Sequence, residues 1–337
     1  MIGTRRVSRL VVLGITLSLS NAIASAGWIE ATAIVRSLDR HEAFFVDVGG
    51  YEVRYTGETS PAILRYWGLG EQVTGREMLL AEPESARGFI RLVALAGAGH
   101  QREIRSAGQF FDSGGIMGLN VRVNSISKTF ERAQASGWRP LSDPVWFSVE
   151  DFSVGEAIFL GPDGLSIGLI ERKKPPLGPE WVLTDGTFSR PNNAFVITAD
   201  LPSSRAFYLG ELSWKPFLED TGPAAQPGMN LYGWPHNRVE DVERHVVWWH
   251  PDEGGEGSLA QIQLRGATGR DFSQSTAPPN LGWVALRHFS DDDSTETAPG
   301  PFFILEPYGC VRLRHRVDPD GVRHEFLLRS SGCPDVR

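Results

Sequence analysis

The sequence predicts an α+β fold built from a repeated unit of one strand, one helix and three further strands. Three observations carry that prediction. Apolar strand openings recur along the chain with helix-like stretches behind them. Pro-Asp-Gly turns recur between strand-like segments, and a proline-rich stretch divides the chain near its middle.

The first opening, Ala31–Asp39, leads into His41–Phe45. The second, Gly118–Ile126, leads into Phe130–Gly137, and the third, Asn193–Leu201, into Ser204–Tyr208. The fourth is Gly282–His288. Each is alternating or continuously apolar, the signature of a strand that buries one or both faces. Ser37, Ser125 and Asp200 stand where a helix N-terminus takes a capping oxygen. Behind the second helix come Val145–Val149, Glu156–Leu160 and Leu165–Ile170, the last two joined by Pro162-Asp163-Gly164. Hairpin chemistry expects such a turn. Behind the fourth opening come Phe302–Leu305, Val311–Val317 and Val322–Leu328, with Pro319-Asp320-Gly321 as the final turn. Ser290–Gly300 is polar and turn-rich, so a loop is expected in place of the fourth helix. Lys173–Pro179 is rich in proline, which sets the expected boundary: residues 27–174 as one domain, 175–190 as linker, 191–330 as a second domain and 331–337 as a tail.

The first 26 residues read differently. Arg5, Arg6 and Arg9 precede an apolar run, Leu10–Leu19, and Ala24-Ser25-Ala26 is a small-x-small pattern before Gly27. This is the pattern of a cleaved secretory leader. It predicts a periplasmic or secreted protein with no membrane attachment after cleavage. An oxidising compartment would allow the chain's two cysteines, Cys310 and Cys333, to pair. A formal net charge of −8 argues against a general nucleic-acid binder. No Gly-rich phosphate loop, Gly-x-Ser-x-Gly elbow or Cys-x-x-Cys pair is present.

A tandem strand–helix–three-strand unit whose last hairpin reads Pro-Asp-Gly resembles the vicinal-oxygen-chelate superfamily, which includes glyoxalases, extradiol dioxygenases and bleomycin-resistance-type binding proteins. The resemblance is clearest at Ile126–Glu171, Asn193–Pro216 and Asp318–Leu328. It implies four βαβββ units paired into two cupped mixed sheets, each able to hold a ligand in its concavity. It also implies a divalent metal (iron, zinc, nickel or manganese) held by His, Gln or Glu from the first and last strands of paired units. The first-strand positions fall near Glu30, Gly118, Asn193 and Gly282, the last-strand positions near Arg91, Gly168, Leu264 and Glu325. Glu30 and Glu325 are the only strong ligands in that set, so no cofactor is expected, with a divalent metal at Glu325 and Glu30 as the alternative.

Other residues add to the candidate site. His288 lies two, four and six residues beyond Leu286, Val284 and Gly282, so strand alternation places it beside them, where it could serve with Glu325 in catalysis. Trp146, Trp248 and Trp283 lie on strand-like segments and could stack on a flat ligand. Arg323 shares a face with Glu325 and could hold an anionic group, and Asn193 could contribute an amide. The sequence therefore predicts an exported protein that binds a small organic molecule, an aromatic one by preference, without a metal or with a degenerate metal site. A metal-dependent glyoxalase- or dioxygenase-like enzyme using Glu325 is the alternative, and a structural or interaction module the third reading. The expected partner is the small molecule, and a homodimer is left open.

Overall fold

The structure is a computed structural model. It describes residues 27–149, 151–178, 181, 183, 186–223, 230–234, 236–252, 255–290 and 302–329. The leader, the tail with Cys333, and most of the Ser290–Gly300 segment lie outside the described residues. The expected Cys310–Cys333 bridge therefore lies outside them as well.

The chain first runs through β1 (Glu30–Ile34), α1 (Leu38–Ala43), β2 (Glu52–Glu58), α2 (Pro61–Tyr66), β3 (Thr74–Ala81) and β4 (Phe89–Ala96). A second segment contains β5 (Ile116–Arg122), α3 (Ile126–Ala135), β6 (Arg139–Pro140), β7 (Val145–Val149), β8 (Phe152–Leu160) and β9 (Ser166–Lys174). A third contains β10 (Pro191–Ile197), α4 (Leu201–Gly210), β11 (Lys215–Pro223), β12 (Glu243–His250) and β13 (Ser258–Arg265). The last contains β14 (Gly282–Phe289), β15 (Phe303–Leu305), β16 (Gly309–Val317) and β17 (Arg323–Arg329).

Local chemistry sets the helix starts. Ser37, Ser125 and Asp200 hold the N-cap positions of α1, α3 and α4; the Asp200 side chain accepts from the Ser203 backbone at 3.1 Å, whereas the Ser37 and Ser125 side chains make no capping bond and Glu171 accepts from the Ile126 amide at 2.7 Å. α2 begins with Pro61 behind Ser60, whose hydroxyl accepts from the Ala62 amide. The innermost strands carry no exposed residue: every residue of β1 is buried, as expected of a strand covered on both faces.

The strands form two mixed, curled sheets. One has the order β15-β16-β17-β14-β1-β4-β3-β2. The other has β11-β12-β13-β10-β5-β9-β8-β6, with β7 paired to β8. The expected halves, 27–174 and 191–330, are not the two sheets. The chain's first and last segments share the first sheet, where β1 and β14 are antiparallel with Glu30 opposite Arg287. The middle segments share the second, with Asn120 on β5 opposite Asn193 on β10. The proline-rich stretch joins β9 to β10, two strands of the same sheet, so it is a crossing within a sheet and not a boundary.

The main core lies between the sheets and includes Phe44, Phe45, Phe130, Phe159, Trp249 and Trp283. Both Pro-Asp-Gly turns lock this interface. Asp163, in the β8–β9 turn of the second sheet, accepts hydrogen bonds from the Arg36 amide at 2.9 Å, Arg36 Nη1 at 2.7 Å and His41 Nε2 at 3.0 Å, all from the first segment. Asp320, between β16 and β17 of the first sheet, accepts from Ser204 Oγ and Gln261 Nε2, both at 3.0 Å, in the third segment. Each turn thus carries a carboxylate from one sheet into the other. Burial would raise the Asp163 pKa, but the bonds from His41 and Arg36 hold it below the usual range. Asp320 has no cation partner among the described residues, and burial pushes it up to about 6. Asp318, which accepts the Tyr208 hydroxyl at 2.6 Å, is pushed up to about 8 by burial and by the charge of Asp320.

A carboxyl whose pKa is raised by folding holds its proton in the native state while the unfolded chain releases it. Its stabilisation is complete below about pH 4 and is lost as pH rises through 6 and 8. Thermal melts between pH 5 and 8.5 are expected to show Tm falling with pH, and Asp318→Asn is expected to flatten that slope. An unchanged slope in the variant would remove Asp318 as its source.

Candidate functional site

The residues sought as metal ligands meet on the far face of the first sheet. Glu30 on β1, Arg91 on β4, Arg287 on β14 and Glu325 on β17 are all fully buried. Register explains the meeting: Arg287 lies opposite Glu30 across the antiparallel pair and beside Glu325 across the parallel pair. The first-strand position expected at Gly282 is therefore held by Arg287. The four side chains form an alternating charge cluster. Arg91 grips Glu30 with two bonds, Nε to Oε1 at 2.9 Å and Nη2 to Oε2 at 3.0 Å, and reaches Glu77 at 2.6 Å. Arg287 bonds Glu30 at 2.5 Å and Glu325 at 2.9 Å. Arg323 donates to Glu325 at 2.9 Å, Trp67 Nε1 donates to the same oxygen at 2.9 Å, and the Tyr308 hydroxyl donates to Glu30.

Three carboxylates and three guanidiniums thus compensate one another, all of them buried except the partly exposed Arg323. Burial alone would raise the Glu325 pKa, but Arg287 and Arg323 hold it at about 2; Arg91 and Arg287 likewise keep Glu30 below its usual value. The face is also covered. α2 and Trp67 pack over it in an apolar cluster with Ile29, Val93, Leu313 and Leu327. A divalent cation asks for imidazole and carboxylate donors with free lone pairs. Glu30 and Glu325 stand among three guanidiniums that already take their oxygens, so this donor set does not fit one.

The second sheet treats the same positions differently. Asn120 stands opposite Asn193, Gly168 beside Asn120, and Ser258 beside Asn193. The first-strand position expected at Gly118 is held by Asn120. Ala260, paired with Phe195, and not the expected Leu264, stands where Arg91, paired with Thr32, stands in the first sheet. Asn193 Oδ1 accepts from Asn120 at 3.2 Å and Asn192 at 2.7 Å. A side chain at Gly168 would put its Cβ 2.0 Å from Asn120 Oδ1, so the Asn120 amide fills the space that Glu325 uses in the other sheet. Amides and a hydroxyl carry no charge, and this set does not fit a divalent cation either. Among the described residues, no three His, Cys, Asp or Glu side chains converge as a cation shell.

Above this amide floor the face is open. A cavity of about 620 Å³ lies over the second sheet, walled by Trp248, Trp181, Phe152, Tyr232, Glu156 and Arg172 among others. That volume is in the range of small-molecule sites. Tyr232 is held by stacking on Phe110 at 3.9 Å. Glu156 is pushed up to about 7 by desolvation, offset in part by Arg244, which is itself paired with Asp220.

The sequence-predicted residues divide between these places. Asn193 and Trp248 line the open cavity. Glu30, Glu325 and Arg323 belong to the closed ion-pair cluster. Trp283 is core between the sheets, and Trp146 is a partly exposed ring on β7 covered by Lys173 at 3.9 Å. His288 faces the inter-sheet core, where its Nε2 meets His324 Nδ1 at 3.1 Å and its ring packs edge-on to Trp214. The alternation counted from Gly282 fails because Thr32 pairs with Ala285 and Ala33 with Trp283, leaving Val284 as an extra, bulged residue. Glu156 and Arg172 were missed. The available signal was a charged residue on the face of β8 shared by Val154 and Ile158.

Solved structures share this architecture. A point mutant of glyoxalase I from Zea mays is similar over 90% of this chain and 92% of its own, with 17% identity and a TM-score of 0.58; the unmutated Zea mays enzyme gives 15% and 0.56. A Bacillus subtilis protein provisionally named a dioxygenase is similar over 91% of this chain and 86% of its own, at 12% identity and a TM-score of 0.51. No protein-family model matches the sequence, and neither does any curated protein.

Removing one partner of a buried ion pair leaves the others uncompensated, at a cost of about 3–5 kcal/mol. Glu325→Gln is expected to lower the urea midpoint accordingly. Because folding lowers the Glu325 pKa, its contribution is present above about pH 4.5 and is lost as pH falls towards 2. The wild type is therefore expected to lose stability over that acid range more steeply than the variant. Equal acid sensitivity of the two would remove Glu325 from this role.

Proposed function

This chain has the fold of the vicinal-oxygen-chelate superfamily, and from that premise we propose that it binds a small, flat organic molecule in the cup of its second sheet without a metal. One contrast carries the reading. The two sheets offer equivalent faces, and the first is filled with ion pairs and roofed by α2, while the second keeps a cavity of about 620 Å³. Its wall is aromatic and its floor is amide, a combination that suits a ring system with polar substituents. The leader pattern before Gly27 supports placing this activity outside the cytoplasm.

The test is a titration of chelator-treated protein with a panel of planar aromatic compounds, followed by tryptophan fluorescence. Saturable quenching is expected, and Trp248→Ala is expected to weaken it about tenfold while leaving the melting curve close to wild type. Elemental analysis of protein purified without chelator is expected to give well under one metal per chain. Binding or turnover that needs restored metal would overturn the reading.

A further inference from the structure

The cavity wall carries two ionisable side chains whose charges are not answered by bonded neighbours. Arg172 on β9 makes no hydrogen bond or ion pair among the described residues. Its guanidinium lies over the Phe152 ring at 4.7 Å, and its Nε is buried without a partner. Glu156 on β8 makes no hydrogen bond among the described residues, and Arg244, the cation that acts on it, is bonded to Asp220. The remaining wall carboxylate, Glu256, is held by Arg190 through two bonds of 2.6 Å.

These two charges could have neutralised each other. Glu156 pairs with Ile170 and Arg172 with Val154, so they are diagonal cross-strand neighbours, a spacing of about 7–8 Å. The guanidinium instead leans over Phe152, on the side away from Glu156. Phe152 is exposed and marks the mouth, whereas Glu156 is one step from the buried Ile158 of the floor. Four residues of strand, about 13 Å, separate Phe152 from Glu156. Val154 lies between them and Ile170 stands opposite Glu156; both are apolar, while Arg122, beside Ile170 on β5, lies over the Trp181 ring at 4.5 Å. The cup thus presents a cation at its mouth, an apolar middle and a carboxyl in its depth.

We propose that the cup takes a flat bicyclic aromatic acid, its carboxylate held by Arg172 at the mouth and a hydroxyl donated to Glu156 in the depth. This assignment rests on the reading of the second cup as a ligand site. An arginine fork meets a carboxylate with two parallel, charge-assisted bonds, and the bound anion supplies the counter-charge that Arg172 lacks. The ring system lies against Val154, Ile170 and Trp248. At the inner end a phenolic donor satisfies Glu156 without placing a second anion beside it.

Isothermal calorimetry with the full mature protein tests this with three probes: naphthoate, hydroxynaphthoate and the methyl ester of hydroxynaphthoate. The wild type is expected to prefer hydroxynaphthoate to both others. Arg172→Gln is expected to weaken both acids about tenfold and leave the ester unchanged, and Arg172→Lys to retain part of the preference for acid over ester. Glu156→Gln is expected to reduce the advantage of hydroxynaphthoate over naphthoate. A wild type that binds ester and acid equally, or an Arg172→Gln variant that melts like wild type and keeps its acid preference, overturns the assignment while the ligand cup stands. Failure of all three probes, together with no quenching by the wider aromatic panel, overturns the cup itself.

Discussion

The antiparallel pairing of β1 with β14 is the constraint on which the rest of this structure depends. It joins residues 257 positions apart, as the Arg287–Glu30 bond records. Through it the first and last segments become one sheet, which leaves the middle segments to make the other. Each Pro-Asp-Gly turn then faces the sheet to which it does not belong, and Asp163 and Asp320 can each be received there. The same pairing sets Glu30 opposite Arg287, and so determines which side chains share the far face of the first sheet.

From one architecture the two sheets reach opposite electrostatic solutions. In the first, carboxylates from a first and a last strand are answered by guanidiniums from the other two positions, and the face is closed. Such a cluster gains little over an apolar filling, because desolvation consumes most of the attraction, but it makes the loss of any one member costly. In the second, uncharged amides occupy the corresponding positions and bond one another. Nothing there needs a counter-charge, so the floor can stay open to a ligand. Among the described residues, Arg172 and Glu156, which have no bonded counter-charge, stand on the wall instead, where a ligand can reach them.

Much of this was legible in the sequence, and the losses have physical causes. The caps at Ser37, Ser125 and Asp200, the strand openings and the turns at Asp163 and Asp320 are local signals, and each sits where it was expected. Strand partnership is not local: a proline-rich stretch looks the same whether it separates two domains or crosses from β9 to β10 inside one sheet. Glu30 and Glu325 are the strong donors the sequence offers, but the first-strand position expected at Gly282 is held by Arg287, which stands opposite Glu30 and beside Glu325. One bulged residue, Val284, reverses the faces of everything after it, which also turned His288 from the cup to the core. Trp248 and Trp283 are indistinguishable by composition; only packing tells the wall of a cavity from a core.

The division of the chain between sheets also bears on the order in which the protein can be assembled. The second sheet is encoded by a continuous stretch, residues 116–265, so all of its strands exist before β14 has been made. β1 lies beside β4 on one side only and has to wait for residues beyond 281 to cover the other. During synthesis the earliest strands therefore carry an unpaired edge longest. The completed second sheet is the surface available for them to gather on, through the waiting carboxylate of Asp163. A chain that stops short of β14 would lose more than its last strands, because the half-sheet that began the molecule would have nothing to close it.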